Sequence, residues 1–350
     1  MKIPKISKIS KISKIDSQEL NQLIDELILK ANITTDRRLV AEMITTSLQL
    51  GGDVRNTLNL KIASAALDEM RDAFVMFAPY TQRKKVTIFG SARTTKDDPL
   101  YKLTQEVAKA LADNDWMVVT GAGPGIMEAG MSGAGRDMSI GVSIRLPFET
   151  SANPIIAGDD KYVSMRYFFT RKLMLVKESN AFICMPGGFG TLDEMFELLT
   201  LSQTGKGNPV PIVMLDLPGD PFWESVNNFV KTSLIPRRLV SESDLALYHV
   251  ANSVEDAVTE IVTFYNNYHS MRIVGKKIVL RLNREVSGVT LNKINAEFAY
   301  LCESGVIETI QATSSELADK DNLDKFRIAF QFARRDFGGL RKLIDVLNNS

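Results

Sequence analysis

The sequence predicts an α/β protein built on a doubly wound parallel sheet, with an N-terminal helical layer and a small C-terminal α+β module. Three observations predict it. Short apolar runs alternate with helical stretches through the middle of the chain. Two glycine-rich turns follow such runs. The 3.6-residue periodicity of the first quarter gives way to this alternation near Lys85 and changes again after Arg272.

The 350 residues allow a large core and more than one domain. "KISKISKISKI" repeats every third residue, and steps of roughly 300° walk its lysines and isoleucines around a helix axis instead of lining one face. Residues 1–15 therefore read as a disordered basic tail. Residues 16–80 read as helices, because "SQELNQLIDELILKA" and "LNLKIASAALDEMRDAFVMFA" space apolar residues by three and four. Such stripes want a partner surface, either the next domain or a second subunit, and the expectation is a homo-oligomer, a dimer or larger.

Residues 81–270 carry "KVTIFGSA", "WMVVTGAG", "SIGVSIRLP", "AFICMPGG" and "VPIVMLDLP", most ending in glycine or proline, with helices such as "YKLTQEVAKALADN" between them. That order predicts a Rossmann-like parallel sheet covered on both faces, with ligands bound outside the carboxyl ends of the strands. Residues 271–350 read as a small α+β unit with strands in "KKIVLRLN", "IETIQAT" and "KFRIAFQFA" and helices around "LNKINAEFAYLCE" and "FGGLRKLIDVLN". It shows no catalytic constellation, and a regulatory ligand sensor is one reading of it.

Charge and composition exclude several function classes. Lys plus Arg equals Asp plus Glu at 42 each, so no global field draws nucleic acid or a membrane, and any bound anion must be held locally. Two cysteines and two histidines, without ligand spacing, argue against a metal site and for a reducing, cytoplasmic setting. No apolar run reaches a membrane span, and the lysine-laced start lacks the apolar core of a signal peptide.

The chemistry gathers in three stretches. "VVTGAGPGIMEA" sets Gly121, Gly123 and Gly125 between a strand and a helix, where bare N–H groups can approach a phosphate at the positive helix end. A tight turn explains the same glycines. A dinucleotide dehydrogenase is disfavoured: the spacing is G-x-G-x-G, and Arg145 stands where an acid should bind ribose. "MPGGFGTLDE" supplies Gly187, Gly188, Gly190 and Thr191, then closes in Asp193 and Glu194 instead of the Lys and Ser or Thr of a nucleotide-hydrolase loop. Thr191 and Glu194 also have the spacing of a capping box. "FTRKLML" puts Arg171 and Lys172 early in a helix, where cations oppose the dipole and so hint at an anionic ligand or simply face solvent.

Together "GAGPGIME", "FTRKLML" and "PGGFGTLDE" resemble the LONELY GUY family of phosphoribohydrolases, often mislabelled lysine decarboxylases, in its longer bacterial form. The family pattern P-G-G-x-G-T-x-x-E is matched at every fixed position from Pro186 to Glu194, and its Arg-Lys pair falls on Arg171 and Lys172. The likeness covers roughly Lys85 to Ser270, and the flanking segments resemble extensions of the longer members. "LPFETSANP" resembles an E-Q-x-x-N stretch of those members but has Thr150 in place of Gln, which weakens any role for Glu149 and Asn153.

The resemblance implies cleavage of the N-glycosidic bond of nucleoside 5'-monophosphates to free base and ribose 5-phosphate, without a cofactor. Glu194 would face the ribose as nucleophile, electrostatic stabiliser or water-orienting base, and Arg171 would neutralise the phosphate or position Glu194. The glycines, Thr191, Lys172 and, more weakly, Ser91 would hold the nucleotide. A lysine decarboxylase would need a pyridoxal phosphate site that the sequence does not show. The rival is a non-catalytic protein of the same fold that binds nucleotide or carries a molybdenum cofactor.

Overall fold

The computed structural model describes residues 17–54, 56–145 and 152–350. The expected disordered tail, Glu149 and Thr150 lie outside the described residues. The chain divides into two compact units, 1–71 and 72–350. The first contains α1 (Ser17–Lys30), α2 (Arg37–Asp53) and most of α3 (Thr57–Phe77), so the periodic stretches before residue 80 are helices as read.

The second unit opens with a sheet of seven parallel strands. Its elements in chain order are β1 (Lys85–Phe89), α4 (Pro99–Asp113), β2 (Met117–Thr120), α5 (Ile126–Ala134), β3 (Ser139–Ile144), β4 (Tyr162–Met165), α6 (Phe168–Lys177), β5 (Ala181–Cys184), α7 (Phe189–Gln203), β6 (Ile212–Leu215), α8 (Phe222–Phe229), β7 (His249–Ala251) and α9 (Val254–Thr263). The strand order is β4-β3-β2-β1-β5-β6-β7. The chain winds outward from β1 to β4, then returns to place β5 on the other flank of β1, with Val86 beside both Val118 and Ala181. Connections therefore leave β1 and β5 in opposite directions, and a crevice opens at their carboxyl ends.

Local sequence explains the elements. In α4 the Asp98 carboxylate accepts from the Leu100 N–H, Pro99 sits at the first turn where its missing N–H costs nothing, and Tyr101, Thr104, Val107, Ala108 and Leu111 form the buried stripe. Asp115, with φ of 63°, ends the element. The central strands β1, β2, β5 and β6 are buried along their whole length, which is why they read as continuous apolar runs. Val86, Ile88, Val118, Ile183 and Val213 join Val107, Leu111 and Ile261 in one core. The sequence reading missed β4 and β7, short elements of four and three residues at the two edges of the sheet.

The chain then forms β8 (Tyr268–Val274), β9 (Lys277–Leu282), α10 (Gly288–Phe298), β10 (Cys302–Thr309), α11 (Ser314–Asp319), β11 (Phe326–Phe332) and α12 (Phe337–Asn348). The four strands make an antiparallel sheet of order β10-β11-β9-β8 around a second core that includes Leu280, Ile294, Phe330 and Leu343. Two boundaries differ from the sequence reading: residues 268–270, read as part of the Rossmann-like domain, already belong to β8, a strand the reading missed, and the helix expected over "LNKINAEFAYLCE" ends at Phe298, with Cys302 opening β10. Phe298, Leu301 and Ile307 are all buried, so burial periodicity alone does not mark where helix turns into strand. The Tyr265 hydroxyl donates to the Asn180 carbonyl at 2.7 Å, and Asn348 binds the backbone of Asn267, Tyr268 and Phe264, which ties this sheet to the parallel one.

Candidate active site

A cavity of about 720 Å³ lies at the carboxyl ends of β1, β2 and β5, the place the winding of the sheet leaves open. Of the residues singled out from the sequence, Ser91, Gly121, Arg171, Gly188, Gly190, Thr191 and Glu194 line it; Gly123, Gly125, Gly187 and Lys172 do not. The outliers have other tasks. Gly125 takes a φ of 66° and packs so tightly that a Cβ there would stand 2.4 Å from the Ser91 carbonyl oxygen. It is a turn residue, as the simpler reading of its motif allowed. Ile126 N–H donates to the same carbonyl at 3.0 Å, so this turn fixes the Ser91 loop. Asn153 in turn donates to the Gly123 carbonyl at 3.2 Å and holds the glycine turn from behind.

Gly121 serves a different purpose. A Cβ at this position would lie 2.0 Å from the Arg171 Nη2, so the absent side chain leaves room for the guanidinium. Arg171 Nε donates to the Val142 carbonyl at 3.1 Å, which anchors the group across the end of β3. Burial lowers the Arg171 pKa, and the charge of Glu194 offsets part of that cost. Arg171 is the fourth residue of α6 and Lys172 the fifth, in a helix with no acid in its first turn.

Helix α7 starts at Phe189 with Gly188 as its N-cap and no capping side chain. Thr191 therefore sits inside the first turn, and the capping box that its spacing with Glu194 suggested does not form. The N–H groups of that turn have no partner within the helix, and the residues bearing them line the cavity, as an anion site requires. A Cβ on Gly188 or Gly190 would meet nothing within 4 Å, so the backbone there is open to a ligand.

Glu194 lies just inside the helix, 7% exposed, and among the described residues its Oε2 makes no hydrogen bond. Burial pushes its pKa up to about 7; Lys172 and Arg171 act against that rise, while Glu197 and Asp193 add to it. A buried carboxylate with an unused oxygen is costly in a resting fold and useful beside a ligand.

Sequence reasoning missed Arg93, Met127, Phe168 and Phe189 in the cavity wall. Phe189 is 93% exposed and occupies the variable position of the glycine motif, where a large apolar residue on a loop was the available signal. Among the described residues no three His, Cys, Asp or Glu side chains gather where they could hold a metal ion, and no helix is long and apolar enough to cross a membrane.

Comparison with known proteins bears on the same region. A family model described as "Possible lysine decarboxylase" matches residues 124–261, which include Arg171 and the whole of Pro186 to Glu194. A cytokinin riboside 5'-monophosphate phosphoribohydrolase from Oryza sativa subsp. japonica is 30% identical over 151 residues, 40% of this chain and 60% of the relative's length. A protein of the same name from Mycobacterium tuberculosis is 29% identical over 179 residues, 49% of this chain and 90% of the relative. Among solved structures, the molybdenum cofactor carrier protein from Chlamydomonas reinhardtii is 21% identical, with 51% of this chain and 95% of that one covered and a TM-score of 0.35.

Proposed function

Because the chain belongs to the LONELY GUY family, we propose that it hydrolyses the N-glycosidic bond of nucleoside 5'-monophosphates to a free base and ribose 5-phosphate. One observation carries the reading: a single cavity has an anion-binding end, the open first turn of α7 with Arg171, and a buried carboxylate, Glu194, whose Oε2 is unused. A phosphate and a sugar that becomes cationic need that combination.

When the bond to the base breaks, its electron pair leaves with the base nitrogen, and positive charge spreads over C1' and the ring oxygen of the ribose. Glu194 faces that charge. Opposite charges about 4 Å apart at an effective dielectric near 20 interact by roughly 4 kcal/mol, enough for nearly three decades of rate if realised mainly in the transition state. Water then adds to C1', and the proton it loses ends on the departed base nitrogen, which completes the hydrolysis to free base and ribose 5-phosphate. The phosphate supplies binding energy far from the reacting carbon, and such energy is best used to hold the ribose against the carboxylate.

The test is a panel of nucleoside monophosphates assayed for free base and ribose 5-phosphate, with adenosine beside AMP. We expect kcat/KM for AMP to exceed that for adenosine by roughly a hundredfold or more. Equal values would remove the phosphate cradle from the reading, and no base release from any nucleotide would remove the reading itself.

A further inference from the structure

Lys172 stands where the sequence suggests a phosphate ligand, yet its ammonium is already engaged. Nζ lies 2.7 Å from Asp193 Oδ2 and 2.7 Å from Glu197 Oε2, and the side chain is 15% exposed. Asp193 and Glu197 are four residues apart on one face of α7 and bracket Glu194. Three carboxylates thus fall within five positions of one helix. The cations that meet them, Arg171 and Lys172, both come from α6.

We propose that Lys172 is a positioning residue: by bridging Asp193 and Glu197 it offsets the two charges beside Glu194, so that the ionised form of Glu194 remains populated at neutral pH in the reaction proposed above, on which this inference rests. The groups facing Glu194 are Arg171 and Lys172 from α6, Asp193 and Glu197 from its own helix, and Cys184 from β5, whose thiol burial holds neutral. Arg93 lines the same cavity from the loop after β1. Lys172 opposes the burial of the Glu194 charge more than Arg171 does. Asp193 is 64% exposed and well screened, so Glu197, at 36%, is the stronger of the two like charges. Hydrogen bonds to both acids in turn raise the Lys172 pKa above its ordinary value in spite of burial, so the bridge stays charged.

A charge role and a mechanical role give different results when the two ends of one bridge are removed in turn. Lys172→Met takes away an opposing charge and should raise the Glu194 midpoint by roughly one pH unit or more. Glu197→Gln takes away a like charge and should lower it. Lys172→Arg keeps the charge and should stay close to the unsubstituted protein. The measurement is a carboxyl ¹³C NMR titration of Glu194 in the full chain, paired with the acidic limb of the pH–rate profile for base release from AMP.

Opposite shifts of Lys172→Met and Glu197→Gln, followed by the rate profile, support the inference. Shifts in the same direction would make the bridge a mechanical tie, and an unmoved midpoint in Lys172→Met would overturn the inference outright. If the unsubstituted protein releases no base from any nucleotide, the proposed reaction fails on its own, while the NMR midpoints still decide whether Lys172 sets the charge of Glu194.

Discussion

Glu194 and Glu316 are the same residue buried to nearly the same degree, 7% and 0% exposed, and the chain treats them in opposite ways. Glu316 Oε1 accepts from Arg281 Nε at 2.8 Å and from Arg327 Nε at 3.2 Å. Its Oε2 accepts from the Thr313 N–H and hydroxyl in a complete capping box at the start of α11. Burial raises its pKa, but these hydrogen bonds outweigh burial and hold the carboxyl at about 2. Glu194 has charged neighbours but, among the described residues, no hydrogen bond to Oε2, and its carboxyl rises to about 7. Burial of a carboxylate therefore does not mark a site; burial without satisfaction does.

The comparison is broken most forcefully from the satisfied side. Glu316→Ala would leave Arg281 and Arg327, each 4% exposed, without their shared counter-charge, and breaking such a buried cluster costs about 3–5 kcal/mol. A urea titration should show that loss, while the kcat of the remaining folded protein with AMP is unchanged. A silent Glu316→Ala would mean that the cluster is weaker than its geometry. On the unsatisfied side, Glu194→Gln keeps the shape and removes the charge. Single-turnover base release from AMP should fall by roughly a hundredfold or more, with AMP affinity retained or tightened because a like charge is gone. An unchanged rate would return Glu194 to a structural role.

How much of this was legible in the sequence follows from the range of the interactions involved. The central strands were legible because burial on both faces writes a continuous apolar run, and the glycine loops because backbone approach permits few other residues there. The edge strands β4 and β7 were not, since three or four residues carry too little pattern. Arg171, Thr191 and Glu194 were found through their motif, and the cavity contains all three. What the motif left open was which neighbour engages which charge. Gly121 makes room for Arg171 fifty positions later in the chain, and Lys172 meets Asp193 and Glu197 across two helices; spacing along the chain encodes neither distance. The capping box illustrates the same limit. Thr191 and Glu194 have its spacing just as Thr313 and Glu316 do, and only the helix start separates them: α7 begins at Phe189, before Thr191, and α11 begins at Ser314, directly after Thr313.

The smallest expected effect is the one that separates the two carboxylates by sign. Glu316 has a folded pKa below its unfolded value, so its contribution to stability is present above about pH 4.5 and is lost as pH falls toward 2. Glu194 has a folded pKa raised from 4.5 to about 7, so the folded state binds its proton more tightly than the unfolded chain does. Its cost is absent below about pH 4.5, grows between there and 7, and is complete above 7, with a ceiling of roughly 3 kcal/mol from the size of the shift. Glu194→Gln removes that cost but puts a neutral amide in a site shaped for a carboxylate. The net gain at pH 8 should be about 1–2 kcal/mol, a few degrees in melting temperature for a chain of this size. At pH 4.5 the gain should shrink to a few tenths of a kcal/mol, because Glu194 is then protonated in the folded state and only about half ionised in the unfolded chain. Melting curves of the two proteins at pH 8 and pH 4.5 measure it. A variant that melts lower at pH 8 would show that Glu194 supports the fold as Glu316 does, and the contrast between the two regions would be lost.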